Sequence, residues 1–254
     1  MRININADMG ESWGAFRMGD DAGLLGAVVS ANIACGLHGG DPRVMADTIR
    51  LARDRGVSIG AHPGYADLHG FGRRAMTLSD TDLEALVLYQ LGALAGMARA
   101  LGHPMTHVKP HGAMNNQAAA DRHMADVIAG AIRSFDPGLI LLAPVLSELA
   151  AAGAGAGLKV GLEIFADRTY EEDGQLTPRA LKGSVLHDPE AARDHVLAML
   201  EAGGIVTRTG KVLQTPFHSV CVHGDGAAAV AAARLIRQAV EAAGHQVLPL
   251  PDLV

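Results

Sequence analysis

The sequence predicts an α/β protein whose parallel strands close into a barrel. Short apolar runs alternate with helical stretches along the chain, a pattern typical of βαβ units built around a parallel sheet. The run at 139–143 is apolar throughout, as expected for a strand that helices cover on its outer face. Five of the apolar runs end in a charged residue or a histidine, which is how barrel strands present side chains at their carboxyl ends.

Seven strands can be placed in order, one fewer than in the usual eight-stranded barrel. They are predicted at 3–6, 28–34, 57–61, 106–109, 139–143 and 160–166, with a last strand that ends at His223. Helices are predicted at 43–55, 79–101, 118–133, 144–152, 188–202 and 227–243, and a small hairpin at 207–213. The Ala/Gly-rich run at 150–157 is expected to be a flexible connection. The same alternation continues on both sides of it, so one domain is expected over residues 1–254.

Composition and charge exclude several classes of protein. The chain of 254 residues has a formal net charge of −6 and no Lys/Arg cluster, which argues against nucleic-acid binding. It has only two cysteines, which favours a reducing compartment. No apolar run reaches the roughly 18 residues that a membrane helix requires, and the N-terminus lacks the apolar core of a signal peptide. We therefore expect a cytoplasmic protein that does not contact a membrane.

The strand ends and the loops after them carry the candidate catalytic groups. These groups are Asp8, His38, His62, Lys109, His111, Asp167, Arg168, His223 and Asp225. In a barrel they would converge on one face. Such a set can deprotonate water, polarise a carbonyl group and protonate a leaving nitrogen. Hydrolysis of a carbon–nitrogen bond is the reaction that it fits best.

Several of these residues have a second interpretation. Asp8 and Glu11 could be a base, a metal ligand or simply helix caps. Arg73 and Arg74 follow two glycines, so they could hold a phosphate or carboxylate, or pair with surface acids. A metal site built from Asp8 and two histidines, with His38 and His62 as candidates, is chemically reasonable, although the spacing gives no independent sign of one.

Two further features of the sequence bear on ligands. The polar segment at 171–178 could be a lid over the site or a solvated excursion. No Gly-rich phosphate loop, dinucleotide fingerprint, His-Glu-x-x-His or Gly-x-Ser-x-Gly motif is present. Any nucleotide would therefore be held in an uncommon way or by a partner.

Seven blocks of the sequence, in this order, resemble the LamB/YcsF family. The blocks are NADMGE (6–11), NIACG (32–36), GAHPGY (60–65), GFGRR (70–74), VKPHGA (108–113), FADRTY (165–170) and CVHGD (221–225). Together they cover nearly the whole chain. The departures that we note, Leu37 and Gly39 beside His38 and Met114 after the fifth block, remove no ionisable group.

The resemblance implies a seven-stranded, TIM-like barrel of the glycoside hydrolase/deacetylase type. It also implies ATP-dependent ring opening of 5-oxo-L-proline (pyroglutamate) to L-glutamate, as part of a bacterial 5-oxoprolinase with subunits B and C as partners. Whether ATP and Mg²⁺ bind this chain or its partners stays open, as do a divalent metal and self-association into a homo-oligomer.

The residues can be assigned expected roles within that reaction. His111 or Asp8 would activate water, Lys109 and Arg73 would hold the phosphoryl or carboxylate group, and His62 or His223 would protonate nitrogen. Further residues are expected to bind substrate or phosphate, namely Glu11, Arg74, Arg168 and Tyr170. Two other functions remain as alternatives: a metal-dependent deacetylase acting on an N-acetyl carbohydrate, argued from the barrel type alone, and a non-catalytic scaffold for partner subunits.

Overall fold

A computed structural model describes residues 1–224 and 228–254 of the chain. The strands are β1 (Arg2–Met9), β2 (Ser30–Ala34), β3 (Ser58–His62), β4 (Met105–Val108), β5 (Ile140–Pro144), β6 (Lys159–Phe165), β7 (Gly204–Val206), β8 (Val212–Gln214), β9 (Ser219–Val222) and β10 (Gln246–Val247). The α-helices are α1 (Asp21–Leu24), α2 (Pro42–Asp54), α3 (Asp80–Ala100), α4 (Gly112–Ala120), α5 (Arg122–Phe135), α6 (Glu148–Gly155), α7 (Pro189–Ala202) and α8 (Ala229–Ala242).

Seven parallel strands close into a barrel in the order β1-β2-β3-β4-β5-β6-β9, and β9 pairs back onto β1. This confirms the predicted fold class and the count of seven barrel strands. The hairpin predicted at 207–213 is also present, as the antiparallel pair β7–β8. Outside the barrel, the short strand β10 adds to the beginning of β1 through Arg2 and Ile3.

The alternation of residue types along β1 assigns its two faces. Ile3 and Ile5 are fully buried in the main apolar core. Asn4 and Asn6 are equally buried, but they bond to polar side chains of other barrel strands, such as Ser30 and Ser219. The inner space of the barrel is therefore polar at these positions. Hydrogen bonds between the strands satisfy groups that would otherwise be costly to bury.

Two local predictions are wrong. The helix expected at 118–133 is two helices, because Asp121 leaves helical geometry and its side chain accepts a hydrogen bond from Met124 N at the start of α5. The first of the two, α4, begins at Gly112. It is buried on most of its surface and has no clear polar stripe to reveal it in the sequence. The run at 150–157, expected to be flexible, lies mostly in α6.

The C-terminal segment covers the amino-terminal end of the barrel. Leu250 is fully buried against Ile140 and Leu142 of β5, and Leu248 O accepts a hydrogen bond from Asn4 Nδ2. The opposite end, where the strands finish, carries the loops with the ionisable residues. Among the described residues, the helices are all too short or too polar to span a bilayer.

Candidate active site

A cavity of about 460 Å³ opens at the carboxyl ends of the barrel strands, a volume in the usual range for small-molecule sites. Eight of the residues singled out from the sequence line it, from every part of the chain: Asp8, His62, Arg73, Lys109, His111, Arg168, Tyr170 and His223. They converge because each follows or ends a parallel strand of the same closed sheet.

Lys109 lies at the base of the cavity and is only 2% exposed. Its Nζ is 3.0 Å from Asp8 Oδ1, 3.1 Å from Glu163 Oε1 and 2.9 Å from Cys221 Sγ. Burial alone would lower the pKa of Lys109, but Asp8, Cys221 and Glu163 hold it well above its usual value. The ammonium charge is therefore already compensated within the protein, and its clearest role is to position Asp8.

Asp8 is a carboxylate held in one orientation. Its Oδ1 accepts from Lys109 Nζ and, at 2.8 Å, from Asn32 Nδ2, which leaves Oδ2 3.4 Å from His62 Nε2. Although burial favours the neutral acid, the charges of His62 and Lys109 keep the pKa of Asp8 well below normal. Asn32 is itself fixed, because its Oδ1 accepts a hydrogen bond from His107 Nε2 at 2.9 Å.

A compact cluster of three histidines and one carboxylate forms one wall of the site. We call Glu11, His38, His62 and His111 the histidine cluster; one possible ligand atom from each lies within 4.8 Å of the other three. The rings of His38 and His111 are stacked, with centroids 3.7 Å apart, and His62 Nε2 is 2.9 Å from His111 Nδ1. Burial, together with the neighbouring histidines, holds the pKa values of His38 and His111 well below the usual range, so both rings are neutral.

Two of the three metal-ligand candidates named from the sequence, His38 and His62, are part of this cluster. The third, Asp8, lies on the other side of His62. The structure also places a possible ligand atom of Asp8 within 4.8 Å of atoms from Cys221 and His223. Glu11, expected to bind substrate or phosphate, is instead buried behind the cavity wall, with Oε1 3.3 Å from His38 Nε2.

The facing wall carries a histidine–aspartate pair. His223 Nδ1 is 2.7 Å from Asp167 Oδ1, and both side chains are partly exposed. Burial would raise the pKa of Asp167, but His223 lowers it overall. Asp167 therefore stays ionised and fixes the orientation of the imidazole, whose Nε2 is left to act on a bound molecule.

Arginine side chains give this cavity a positive region. The Arg168 guanidinium donates to the backbone carbonyls of Thr177 at 2.6 Å and Ser184 at 3.2 Å. Burial and the neighbouring Arg179 lower the pKa of Arg168 to about 10, so it remains charged at neutral pH. Arg73 and Arg179 line the same cavity. Guanidinium groups in this arrangement suit a carboxylate or a phosphoryl group.

Three other candidate residues have different placements. Arg74 does not line the cavity, because its exposed side chain pairs with Asp67. Tyr170 lines the cavity, but its hydroxyl accepts a hydrogen bond from Phe165 N at 2.8 Å and so holds the wall. Asp225 lies outside the described residues. The segment at 171–178 contributes Gly174 and its successors to the cavity wall, and its action as a lid stays a prediction.

Sequence reasoning missed several residues of the site. Glu163 interrupts the apolar run of β6, and a buried acid within a strand is the signal that could have identified it. Cys221, Asn32 and His107 had no such signal, because their roles come from contacts across the barrel. Arg179 stands in a polar segment, and nothing in its neighbours predicts that it reaches the cavity.

Fold and site together define a (β/α)7 barrel with acid, base and anion-binding groups at one mouth. The LamB/YcsF family model matches residues 3–254. The chain is 55% identical over 253 residues to a protein from Azoarcus sp. (strain BH72) whose name makes it a 5-oxoprolinase component, covering 100% of this chain and 99% of the relative. It is 52% identical to the protein of the same name from Methylococcus capsulatus, over 98% and 95% of the two chains.

Solved structures agree with this grouping. The crystal structure of the lactam utilization protein from Thermus thermophilus superposes with a TM-score of 0.92 at 44% identity, over 98% of this chain and 100% of that one. A T48 deacetylase with substrate matches with a TM-score of 0.52 at 14% identity, over 99% and 89% of the chains, which shows a shared fold alone. The chain belongs to the LamB/YcsF family.

Proposed function

We propose that this chain carries out the ring-opening part of an ATP-dependent 5-oxoprolinase reaction, in which 5-oxo-L-proline is hydrolysed to L-glutamate. The observation that supports this most directly is the cavity between two acid–base walls, with Asp8 and the histidine cluster on one side and His223 on the other. The names of the two relatives described above point to the same reaction.

A lactam is a stable amide, so its carbonyl carbon must become more electrophilic before water can attack. We propose that the γ-phosphoryl group of ATP is transferred to the lactam oxygen. Water then adds to that carbon, and Asp8 together with His62 removes the proton from the attacking water. Asp8 suits this task because Lys109 and Asn32 hold one carboxylate oxygen and leave the other facing His62.

The ring nitrogen must gain a proton as the carbon–nitrogen bond breaks. His223 can supply it from Nε2, because its Nδ1 is held by Asp167. This divides the two proton transfers between opposite walls of the cavity. Cleavage then yields the amine and carboxyl groups of glutamate and releases phosphate.

The arginines and the partners complete the proposal. Arg73, Arg168 and Arg179 would hold the substrate carboxylate and the phosphoryl group. ATP with Mg²⁺ would bind on subunits B and C, because this sequence has no phosphate-binding loop. The two free cysteines, Cys35 and Cys221, together with the need for ATP, favour a cytoplasmic location.

The test is 5-oxoproline-dependent ATP hydrolysis and glutamate formation by the complex reconstituted from this chain and subunits B and C. We expect His223→Gln to lower kcat by about 10²- to 10⁴-fold, the usual contribution of a positioned acid. The control is His123→Gln, because His123 is an exposed histidine that pairs with Asp80 outside the cavity. Wild-type turnover by the His223 variant, or no 5-oxoproline turnover by the complete complex, would contradict the proposal.

A further inference from the structure

The protons in the histidine cluster reveal an unbalanced contact. His62 Nδ1 is 2.7 Å from the carbonyl oxygen of Lys109, and His111 Nε2 is 2.7 Å from that of Phe71. A carbonyl oxygen only accepts, so both of these nitrogens carry hydrogen. In neutral rings the remaining nitrogens, His62 Nε2 and His111 Nδ1, are then bare. They face each other at 2.9 Å, where two lone pairs repel unless a positive centre lies next to both.

The surrounding donors fit a metal ion as that centre. Glu11 Oε1 is 3.6 Å from His111 Nδ1, and Asp8 Oδ2 is 3.4 Å from His62 Nε2. An ion with bonds of about 2.1 Å to both ring nitrogens would hold them at an angle of about 90°. Oxygen neighbours at these separations suit adjacent positions around the same ion.

We infer that His62, His111 and Glu11, with Asp8 as a fourth ligand, form a binding site for one divalent transition-metal ion. Histidines that bind metals commonly donate their second ring N–H to a backbone carbonyl, as His62 and His111 do here. The mixed nitrogen and oxygen donors favour Zn²⁺, Mn²⁺, Fe²⁺ or Co²⁺ over Mg²⁺ and Ca²⁺.

His38 has a different role in this arrangement. Its ring is parallel to that of His111 at 3.7 Å, and two stacked rings cannot both aim an in-plane lone pair at one ion. Its Nε2 is 3.3 Å from Glu11 Oε1. His38 is therefore a positioning residue that packs against His111 and orients the Glu11 carboxylate.

The site is reached from the cavity, because His62, His111 and Asp8 line it. An ion here would bind water or the lactam oxygen beside Asp8 and lower the pKa of bound water. That role rests on the proposed function, whereas binding of the ion does not. The two claims therefore need separate measurements.

The binding experiment uses the full chain, stripped with a chelator and dialysed against Zn²⁺ or Co²⁺. We expect one ion per chain by elemental analysis and a Co²⁺ visible absorption spectrum that indicates nitrogen and oxygen ligands. Glu11→Gln and His111→Phe should each weaken Zn²⁺ binding by about 100-fold or more. His38→Phe keeps the stacked ring and should weaken it by only about 10-fold.

The outcomes separate the alternatives. His123→Gln controls for histidines on the surface, and thermal unfolding checks that each variant is folded; Glu11→Gln, which keeps the side-chain shape, decides if His111→Phe is not. Failure of the wild type to retain Zn²⁺, or equal retention by Glu11→Gln, would overturn the site and leave a shared proton between the two rings. Full 5-oxoproline turnover by the stripped chain in the complex would remove the ion from the reaction while leaving the proposed function standing.

Discussion

His107 shows how a residue far below the cavity contributes to its chemistry. It is completely buried, it donates to Asn32, and Asn32 in turn donates to the Asp8 carboxylate. Gly60 makes room for it, since a Cβ there would overlap the His107 ring. Burial, with the charges of Lys109 and His62, lowers the pKa of His107 to about 3. The ring is therefore neutral in the folded protein.

That shift predicts a pH dependence of stability. The unfolded chain takes up a proton on His107 near pH 6.5, whereas the folded chain does so only near pH 3, so stability falls as pH decreases between these values. From pH 7 to pH 5 the loss attributable to this residue is about 2 kcal/mol. Urea unfolding at both pH values should show that His107→Gln loses less stability than the wild type on acidification. Equal losses in the two proteins would contradict the assignment.

The residue types at the mouth could be predicted from the sequence, but their pairing could not. His62, Lys109 and His223 each end or follow an apolar run, and the barrel brings all three to one cavity. The sequence predicts that Lys109 binds an anionic group, yet two buried carboxylates already compensate its charge. Such pairings join residues more than 50 positions apart, so no local pattern carries them.

Two loops meet at the element scale to build the histidine cluster. Gly112, which starts α4, has φ +53 and packs against the backbone of Gly72, which has φ +61. A Cβ at Gly72 would lie 2.8 Å from His38 Cβ and 2.9 Å from His111 Cδ2. Ala113 N also donates to Gly72 O at 2.9 Å. The loop after β3 thus fixes the position of His111 at the start of α4.

We expect Gly72→Ala to damage the site more than the fold. The left-handed backbone alone costs about 1–2 kcal/mol for a residue with a side chain. Gly102→Ala is the matched control, because Gly102 has φ +69 and open space around its Cβ position. Both variants should lose similar stability in urea unfolding. Gly72→Ala alone should lower turnover of the complex, by about 10- to 100-fold; equal turnover in the two variants would show that this contact is unimportant.

The start of α4 illustrates what the sequence concealed at this scale. Helices with one apolar face, such as α2, are predictable to within a residue or two of their observed ends. In α4 the residues Ala113, Met114, Asn115, Ala118 and Ala119 are all buried. A helix covered on most sides has no periodic contrast between apolar and polar residues. Its beginning is therefore invisible in the sequence, although it follows His111 directly.

For the whole molecule, the barrel was predictable because seven strands alternate with helices, whereas the cover at its amino-terminal end was not. That cover is formed by β10 and the turn around Leu250, which is short and has no periodic pattern. We expect Leu250→Ala to lower the free energy of unfolding by about 2–5 kcal/mol, as for other fully buried leucines.

Turnover of the assembled complex at room temperature should be unchanged in this variant, because Leu250 packs at the opposite end from the cavity. Leu181→Ala is a suitable control for the stability measurement, since Leu181 is 47% exposed. Denaturant unfolding and steady-state assays together check both statements. A large drop in kcat with intact folding would mean that the two ends of the barrel are coupled.

The covered base and the hydrogen-bonded interior of the barrel have a consequence for traffic. Side chains such as Asn4, Asn6 and Glu163 fill the space between the strands, so a small molecule has no through-route along the barrel axis at these positions. Whatever reaches Asp8 must arrive and depart by the same doorway. A second protein resting on that doorway would convert an open bowl into a closed chamber, and each round of docking and release would then set the order in which molecules are exchanged.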